Sequence, residues 1–200
     1  MKDVQIIALA GKMGSGKDFL IEKYIIPYIE KSCNKRCLQL SFADQLKINV
    51  MTMNNVCYND VYIEKTNITR SLLQKEGTEN GRDKYGKDIW IKYLDNWITI
   101  FANRCIDVIV INDLRFLNEY NWLRKRNATI IKIDSPKRNY QRLFKESKGD
   151  LNLLENVRNH ISECELDNLI DKDFDFIIKN DDLDLVEMND TLLNLKHKIM

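Results

Sequence analysis

Two histidines, two prolines and seven glycines are all that this 200-residue chain carries of those three types. With only His160 and His197, a histidine-rich metal centre is excluded. So little glycine and proline excludes collagen-like and low-complexity architecture. No apolar run approaches the roughly 20 residues of a membrane span, and residues 1–6 begin no long apolar signal core. Neither charge dominates: 31 Lys+Arg against 30 Asp+Glu leave a formal net charge of +1. A chain that grips DNA or RNA by charge carries a larger basic excess, so neither polymeric nucleic acid nor membrane is expected as a partner. The five cysteines are odd in number and form no Cys-x-x-Cys pair. Cys33 and Cys37 read as half a metal site with no second half, so reduced thiols in a cytoplasmic protein are expected. What remains is ordinary: 44% hydrophobic and 30% charged residues, enough chain for one domain over 1–200 with its own core.

The scarce glycines are clustered. Gly11, Gly14 and Gly16 form one group; Gly77, Gly81 and Gly86 form another. A chain sparing with glycine uses it where backbone must come close or take positive φ, so both clusters are first candidates for ligand contact. Around them the pattern alternates. Short apolar or β-branched runs at 4–10, 37–42, 107–111, 129–133 and 175–179 read as strands. Helical patterns fall at 17–31, where Pro27 is expected to shorten or kink the helix, then at 43–76 with a loop around Asn54-Asn55, and at 87–104, 117–126 and 183–198. The second glycine cluster is expected to interrupt the helix before it. Alternation of this kind predicts an α/β fold, a five-stranded mostly parallel sheet flanked by helices.

The segment Gly11-Lys-Met-Gly-Ser-Gly-Lys17 follows the first strand and opens a helix, which is the setting of a phosphate-binding P-loop. Backbone N–H groups and the helix N-terminus would surround a phosphate, with Lys17 reaching the β- and γ-phosphates. The plainer alternative is a glycine-rich turn with no ligand. The residue after the lysine, usually Ser or Thr, is Asp18. Two readings stand: Asp18 ligates Mg²⁺, directly or through water, or it stabilises the helix N-terminus. After the strand 107–111 come Asp113 and Arg115. At the carboxyl end of a strand beside the first one, Asp113 would hold Mg²⁺ or orient a substrate, and Arg115 would clamp a phosphate. Against this stands a surface ion pair capping the next helix.

With these pieces in order, the chain resembles the phage- and large-virus-type deoxynucleoside monophosphate kinases of the P-loop kinase fold. The matching segments are Ala8 to Asp18, Ser41-Phe-Ala-Asp-Gln-Leu-Lys47, Arg70 to Arg82 with its Gly-Thr-Glu-x-Gly-Arg, and Asp88-Ile-Trp90. They continue with Asn112 to Glu119, His160-Ile-Ser-Glu163 and Phe176 to Asn180. The Gly-Lys-Asp variant belongs to this family. The resemblance implies Mg²⁺-dependent transfer of the ATP γ-phosphoryl to a deoxynucleoside 5′-monophosphate, an acceptor-binding region at about 43–90 and a lid at about 136–160. It implies ATP held by Gly11, Lys12, Met13, Gly14, Ser15, Gly16, Lys17, Asp18, Phe19 and Asn180. Lys17, Asp113, Arg115, Arg138 and Arg142 are implied in catalysis, and Asp18 and Asp113 in holding Mg²⁺. The acceptor is implied to meet Asp44, Lys47, Arg70, Gln74, Gly77, Thr78, Arg82 and Trp90, together with Asp113 and Arg115. A homodimer in the cytoplasm, that of a host if the source is viral, is also implied.

For several of these residues a plainer reading stays open. Asp44 and Lys47 also fit a capping acid and a solvated lysine; Arg70, Gln74, Thr78 and Arg82 a helix end and its loop; Trp90 the core. Arg138 and Arg142, four apart, also fit a solvated basic face. Asn180 also fits a helix cap, and His160 with Glu163 a structural turn. Two other functions compete: an animal-type phosphomevalonate kinase, suggested by Gly16-Lys-Asp-Phe19 and 162–168, and a nucleotide-binding module without turnover. The guanine signature Asn-Lys-x-Asp is missing, since Cys37 stands where its Asp would. The base of the acceptor is not encoded in any motif.

Overall fold

The computed structural model describes residues 4–64, 66–147, 150 and 164–199. Five parallel strands form its sheet: β1 (Gln5–Ala10), β2 (Cys37–Leu40), β3 (Val108–Leu114), β4 (Thr129–Asp134) and β5 (Phe176–Lys179). Their spatial order is β2-β3-β1-β4-β5. β1 lies between β3, with Gln5 opposite Val108, and β4, with Ile7 opposite Thr129. All five expected strands are present, and the expected α/β sheet is the one observed.

Alternation along β1 explains the layers. Ile6, Ala8 and Ala10 face a core shared with Ile91, Leu94 and Ile98 of α6 (Ile89–Ala102) and Tyr120 and Leu123 of α7 (Leu117–Lys125). Ile7 and Leu9 face the other side, where Leu20, Ile21, Ile25 and Ile29 meet Met188, Leu192, Leu195 and Ile199. Those four end residues recur at helical spacing on one stripe of α9 (Leu185–Ile199). Each fully buried Ile or Leu contributes about 1.5–3 kcal/mol, so both faces must be covered for the sheet to persist. Among the described residues no helix is long and apolar enough to cross a membrane.

The first helix runs over 17–33 without a break. It starts as α1 (Lys17–Leu20), widens to a π-helical turn at Ile21–Ile25 and continues as α2 (Ile26–Cys33). Pro27 neither ends it nor needs to: it stands in the first turn of α2, directly after the widened turn. That turn accommodates the missing N–H and the bulk of the ring.

The second glycine cluster interrupts its helix as expected, but only at its last member. α3 (Asp44–Asn54) and a π-helical turn (Asn59–Ile63) are followed by α4 (Asn67–Gly77). Helical backbone then continues through Thr78–Arg82 and α5 (Asp83–Tyr85), and it stops at Gly86, whose φ is +93°. Gly77 and Gly81 serve packing instead. A Cβ on Gly81 would overlap the Trp90 ring and lie 2.7 Å from the Glu76 carbonyl oxygen. A Cβ on Gly77 would meet only the tip of Leu46, at 2.9 Å.

Gly81→Ala is therefore expected to lower stability by about 1–3 kcal/mol through overpacking. Gly77→Ala should stay within about 1 kcal/mol of the parent, because Ala favours helix and Leu46 can turn aside. Urea unfolding of both variants checks the order; a costlier Gly77→Ala would refute this account of the cluster.

Candidate active site

Between Ala10 and α1 the chain makes the expected loop at the carboxyl end of β1. Gly14 and Gly16 take φ of +82° and +86°, which side-chain-bearing residues rarely adopt. Both are also packed from above: a Cβ on Gly14 would lie 2.7 Å from Arg142 Cδ, and one on Gly16 would overlap Asn180 Nδ2. Lys17 is 7% exposed. Its ammonium donates to the carbonyls of Gly11 (2.5 Å) and Lys12 (3.0 Å) and to Ser15 Oγ (3.4 Å). The charge is thus held over the loop it would serve.

Two elements from the far half of the chain clamp this loop. Asn180, buried just after β5, donates its amide to the Ser15 carbonyl at 2.7 Å. α8 (Pro136–Ser147) starts directly after β4, and Asp181 caps it by accepting the backbone N–H groups of Lys137 and Arg138. From this helix Arg142 donates to the Met13 carbonyl (2.9 Å) and Arg138 to the Asn180 carbonyl (3.4 Å). Both arginines expected at the lid therefore stand against the phosphate loop. The lid was expected to reach 160; His160 and Glu163, and most of 148–163, lie outside the described residues.

Asp18, in α1, joins β2 and β3. Its Oδ1 accepts from Asn112 Nδ2 (2.5 Å) and Gln39 Nε2 (3.3 Å), and Ser41 Oγ donates to Asn112 Oδ1 (2.6 Å). Asp18 is exposed at the cleft edge, where an exposed carboxylate fits a cation held by phosphates. Asp113 differs from expectation. β3 extends to Leu114, so Asp113 lies within the strand, and its two oxygens accept the backbone N–H groups of Phe42 (2.8 Å) and Ala43 (3.1 Å). Desolvation pushes its carboxyl up, against the opposing pull of Lys47 and these amides. Asp113 braces the β2–α3 turn with both oxygens and also borders the cleft.

A cleft of about 1950 Å³ runs from the phosphate loop past these strand ends. That is roughly twice the upper size of an ordinary small-molecule pocket, which spans about 300–1,000 Å³. There is room for a donor and an acceptor. Met13, Lys17, Asp18 and Phe19 border one end; Lys47, Gln74, Thr78, Arg82 and Arg115 border the other. Asp44 accepts from the Ser41 N–H (2.7 Å) and the Tyr62 hydroxyl (3.0 Å), and its Oδ1 lies 3.5 Å from Lys47 Nζ. The Lys47 ammonium stands 4.2 Å from the centre of the Tyr62 ring, which stacks on exposed Tyr58 at 4.5 Å. Burial and Asp44 push the Tyr62 hydroxyl above its ordinary range. Arg82 lies over the Phe116 ring at 4.1 Å and 3.6 Å from Glu119. Burial lowers its pKa, opposed by Glu119.

Of the expected acceptor residues, Trp90 borders the cleft from within its wall and Arg70 does not border it. Trp90 is 3% exposed; its indole N–H donates to the Gly77 carbonyl (3.0 Å), and its ring fills the space left by Gly81. It builds the wall rather than offering a face for a base. Arg70 is exposed and does not border the cleft, although Gln74, one turn on, does. Lys12 turns outward to Asp167 at 2.8 Å. Asn112, Gln39, Tyr62, Phe116 and Glu119 were not singled out as site residues. Asn112, Phe116 and Glu119 lie in the matching segment 112–119 without a role of their own there; Gln39 and Tyr62 carry no such signal.

No family model and no curated protein matches this chain. Among solved structures, dephospho-CoA kinase from Campylobacter jejuni is similar over 98% of this chain and 97% of its own, at 16% identity and a TM-score of 0.47. Shikimate kinase from Aquifex aeolicus is similar over 97% and 98%, at 15% identity and a TM-score of 0.45. A sugar kinase from a Janibacter species is similar over 98% of both chains, at 14% identity and a TM-score of 0.48. Likeness at this level concerns the path of the chain alone.

The Glu119 carboxyl is buried and lies near the negative Asp113; both push it up to about 8, against the pull of the Arg115 and Phe116 amides and of Arg82. The folded chain therefore holds this proton more tightly than the unfolded chain, whose carboxyl titrates near 4.5. The resulting stability is fully present below pH 4.5 and is lost as pH rises through about 8. Glu119→Gln does not titrate, so it should flatten the decline of Tm across that window. An unchanged slope in a Tm-against-pH series would contradict the shift.

Proposed function

We propose that this protein transfers the γ-phosphoryl group of ATP to the 5′-phosphate of a deoxynucleoside monophosphate, releasing ADP and the deoxynucleoside diphosphate. The observation that carries this reading is the loop 11–17, with Lys17 anchored in it, opening onto a cleft whose far wall bears Lys47, Arg82 and Arg115. Phosphoryl transfer needs positioning and charge neutralisation more than a protein nucleophile. The attacking oxygen belongs to an already ionised phosphate, so no strong base is required. The loop amides and Lys17 would hold the β- and γ-phosphates. Arg138 and Arg142 would face the charge that builds as the γ-phosphoryl leaves ADP. Asp18 would hold Mg²⁺, which would supply further neutralisation of that charge. Lys47, Arg82 and Arg115 would receive the acceptor phosphate, with Tyr58, Tyr62 and Phe116 beside its sugar and base. The deoxynucleotide acceptor rests on the sequence resemblance around 70–82 together with this wall.

A coupled ADP-release assay with ATP and Mg²⁺ tests the proposal. The panel holds the four deoxynucleoside monophosphates, their ribose counterparts and phosphomevalonate. Turnover of one or more deoxynucleotides is expected, reduced at least about 100-fold by Lys17→Ala, the scale of losing one preorganised charge contact. Turnover of phosphomevalonate alone would overturn the acceptor. Full activity in Lys17→Ala would overturn the role of the loop.

A further inference from the structure

Behind the acceptor wall one buried carboxylate touches both segments that bring arginine to it. Glu119 Oε2 accepts the backbone N–H groups of Arg115 and Phe116, each at 3.1 Å. Its Oε1 lies 3.6 Å from Arg82 Nη2. Arg82 arrives from the helical stretch after α4, a different part of the chain, and also donates to the Gly77 carbonyl at 3.4 Å. Phe116, fixed by the same carboxylate, lies under its guanidinium at 4.1 Å. The guanidinium is thus held on one edge by Glu119, on one face by Phe116 and at another donor by Gly77. With five donors, an arginine fixed this way keeps capacity for an oxyanion.

We infer that Glu119 is a positioning residue that sets the spacing between Arg82 and the Arg115 segment, so that both meet one acceptor phosphate. This deepens the proposed function and rests on it for the identity of the acceptor. Two flexible cations would lose entropy each time they converged on a phosphate; two cations spaced in advance lose less. A cap for α7 alone would need only Oε2 and the two amides. Oε1 aimed at Arg82 goes beyond that need.

Glu119→Gln separates the two roles. Glutamine keeps an oxygen for the Arg115 and Phe116 amides but turns a donor toward Arg82. Kinetics are run above about pH 8, where the parent carboxyl is ionised. The acceptor KM should rise about tenfold, with kcat and the ATP KM within about twofold of the parent. In an Arg82→Ala background, Glu119→Gln should raise the acceptor KM no further; Arg82→Lys replaces Arg82→Ala if the latter does not fold. Equal losses in kcat and both KM values, or additive effects of the two substitutions, would overturn the inference. A cycle of the same variants in thermal unfolding needs no ligand. Coupling there without turnover of any deoxynucleotide would sink the acceptor reading and uphold the Glu119–Arg82 link; additive Tm shifts would sink the link whatever the substrate.

Discussion

The parallel ladder between β1 and β3 decides where the chemistry can sit. Gln5 opposite Val108 and Ala8 opposite Ile111 run the two strands together, and a register shift then brings Ala10 opposite Leu114. That shift lets β3 continue beside the start of the phosphate loop. Asn112 can then reach Asp18 while Asp113, the next residue, reaches the turn at 42–43. Successive residues of a strand point to opposite faces, so one dipeptide braces both α1 and the β2–α3 turn. Without this pairing Asp18 loses its bond from Asn112, and the turn at 42–43 loses Asp113.

The other clamp comes from the chain's second half. β4 and β5 end beside each other, with Asp134 opposite Lys179. Asn180 and Asp181 follow at once, one holding Ser15 and the other the start of α8. The loop is therefore closed from above by residues more than a hundred positions away. Parallel topology makes this possible, because every strand ends on the same side.

Much of this was legible in the sequence. Buried β-branched runs announced the strands, and Gly-x-x-x-x-Gly-Lys between a strand and a helix announced the loop. Several candidate residues also do structural work, for one physical reason: residue types that bind ligands also build sites. Trp90 and Asp113 have the chemistry of contact residues, yet their polar atoms serve the Gly77 carbonyl and the amides of Phe42 and Ala43. Gly77 and Gly81 have the look of a ligand loop, yet they thin a helix so that Leu46 and Trp90 can approach. Spacing along the chain carries no information about which of two uses a buried polar group finds. The link from Glu119 to Arg82 was equally hidden, because it joins segments that only the fold brings together.

Charge ties these points together. A net charge of +1 argued against a nucleic-acid groove, yet the cleft is bordered by Lys17, Lys47, Arg82 and Arg115. The two facts agree because cations of the cleft are balanced locally. Lys47 lies beside Asp44; Arg82 donates to the Gly77 carbonyl and pairs with Glu119 once that carboxyl is ionised; Lys17 and Arg142 rest on loop carbonyls. A cation left without such partners in a half-buried wall would lower its own pKa or drive the wall open. Cations held in place can trade a carbonyl or a shared carboxylate for a phosphate oxygen with little rearrangement, which is the preorganisation that phosphoryl transfer requires. The carboxylates and carbonyls of this cleft therefore let several positive groups stand in one place, as the proposed function requires.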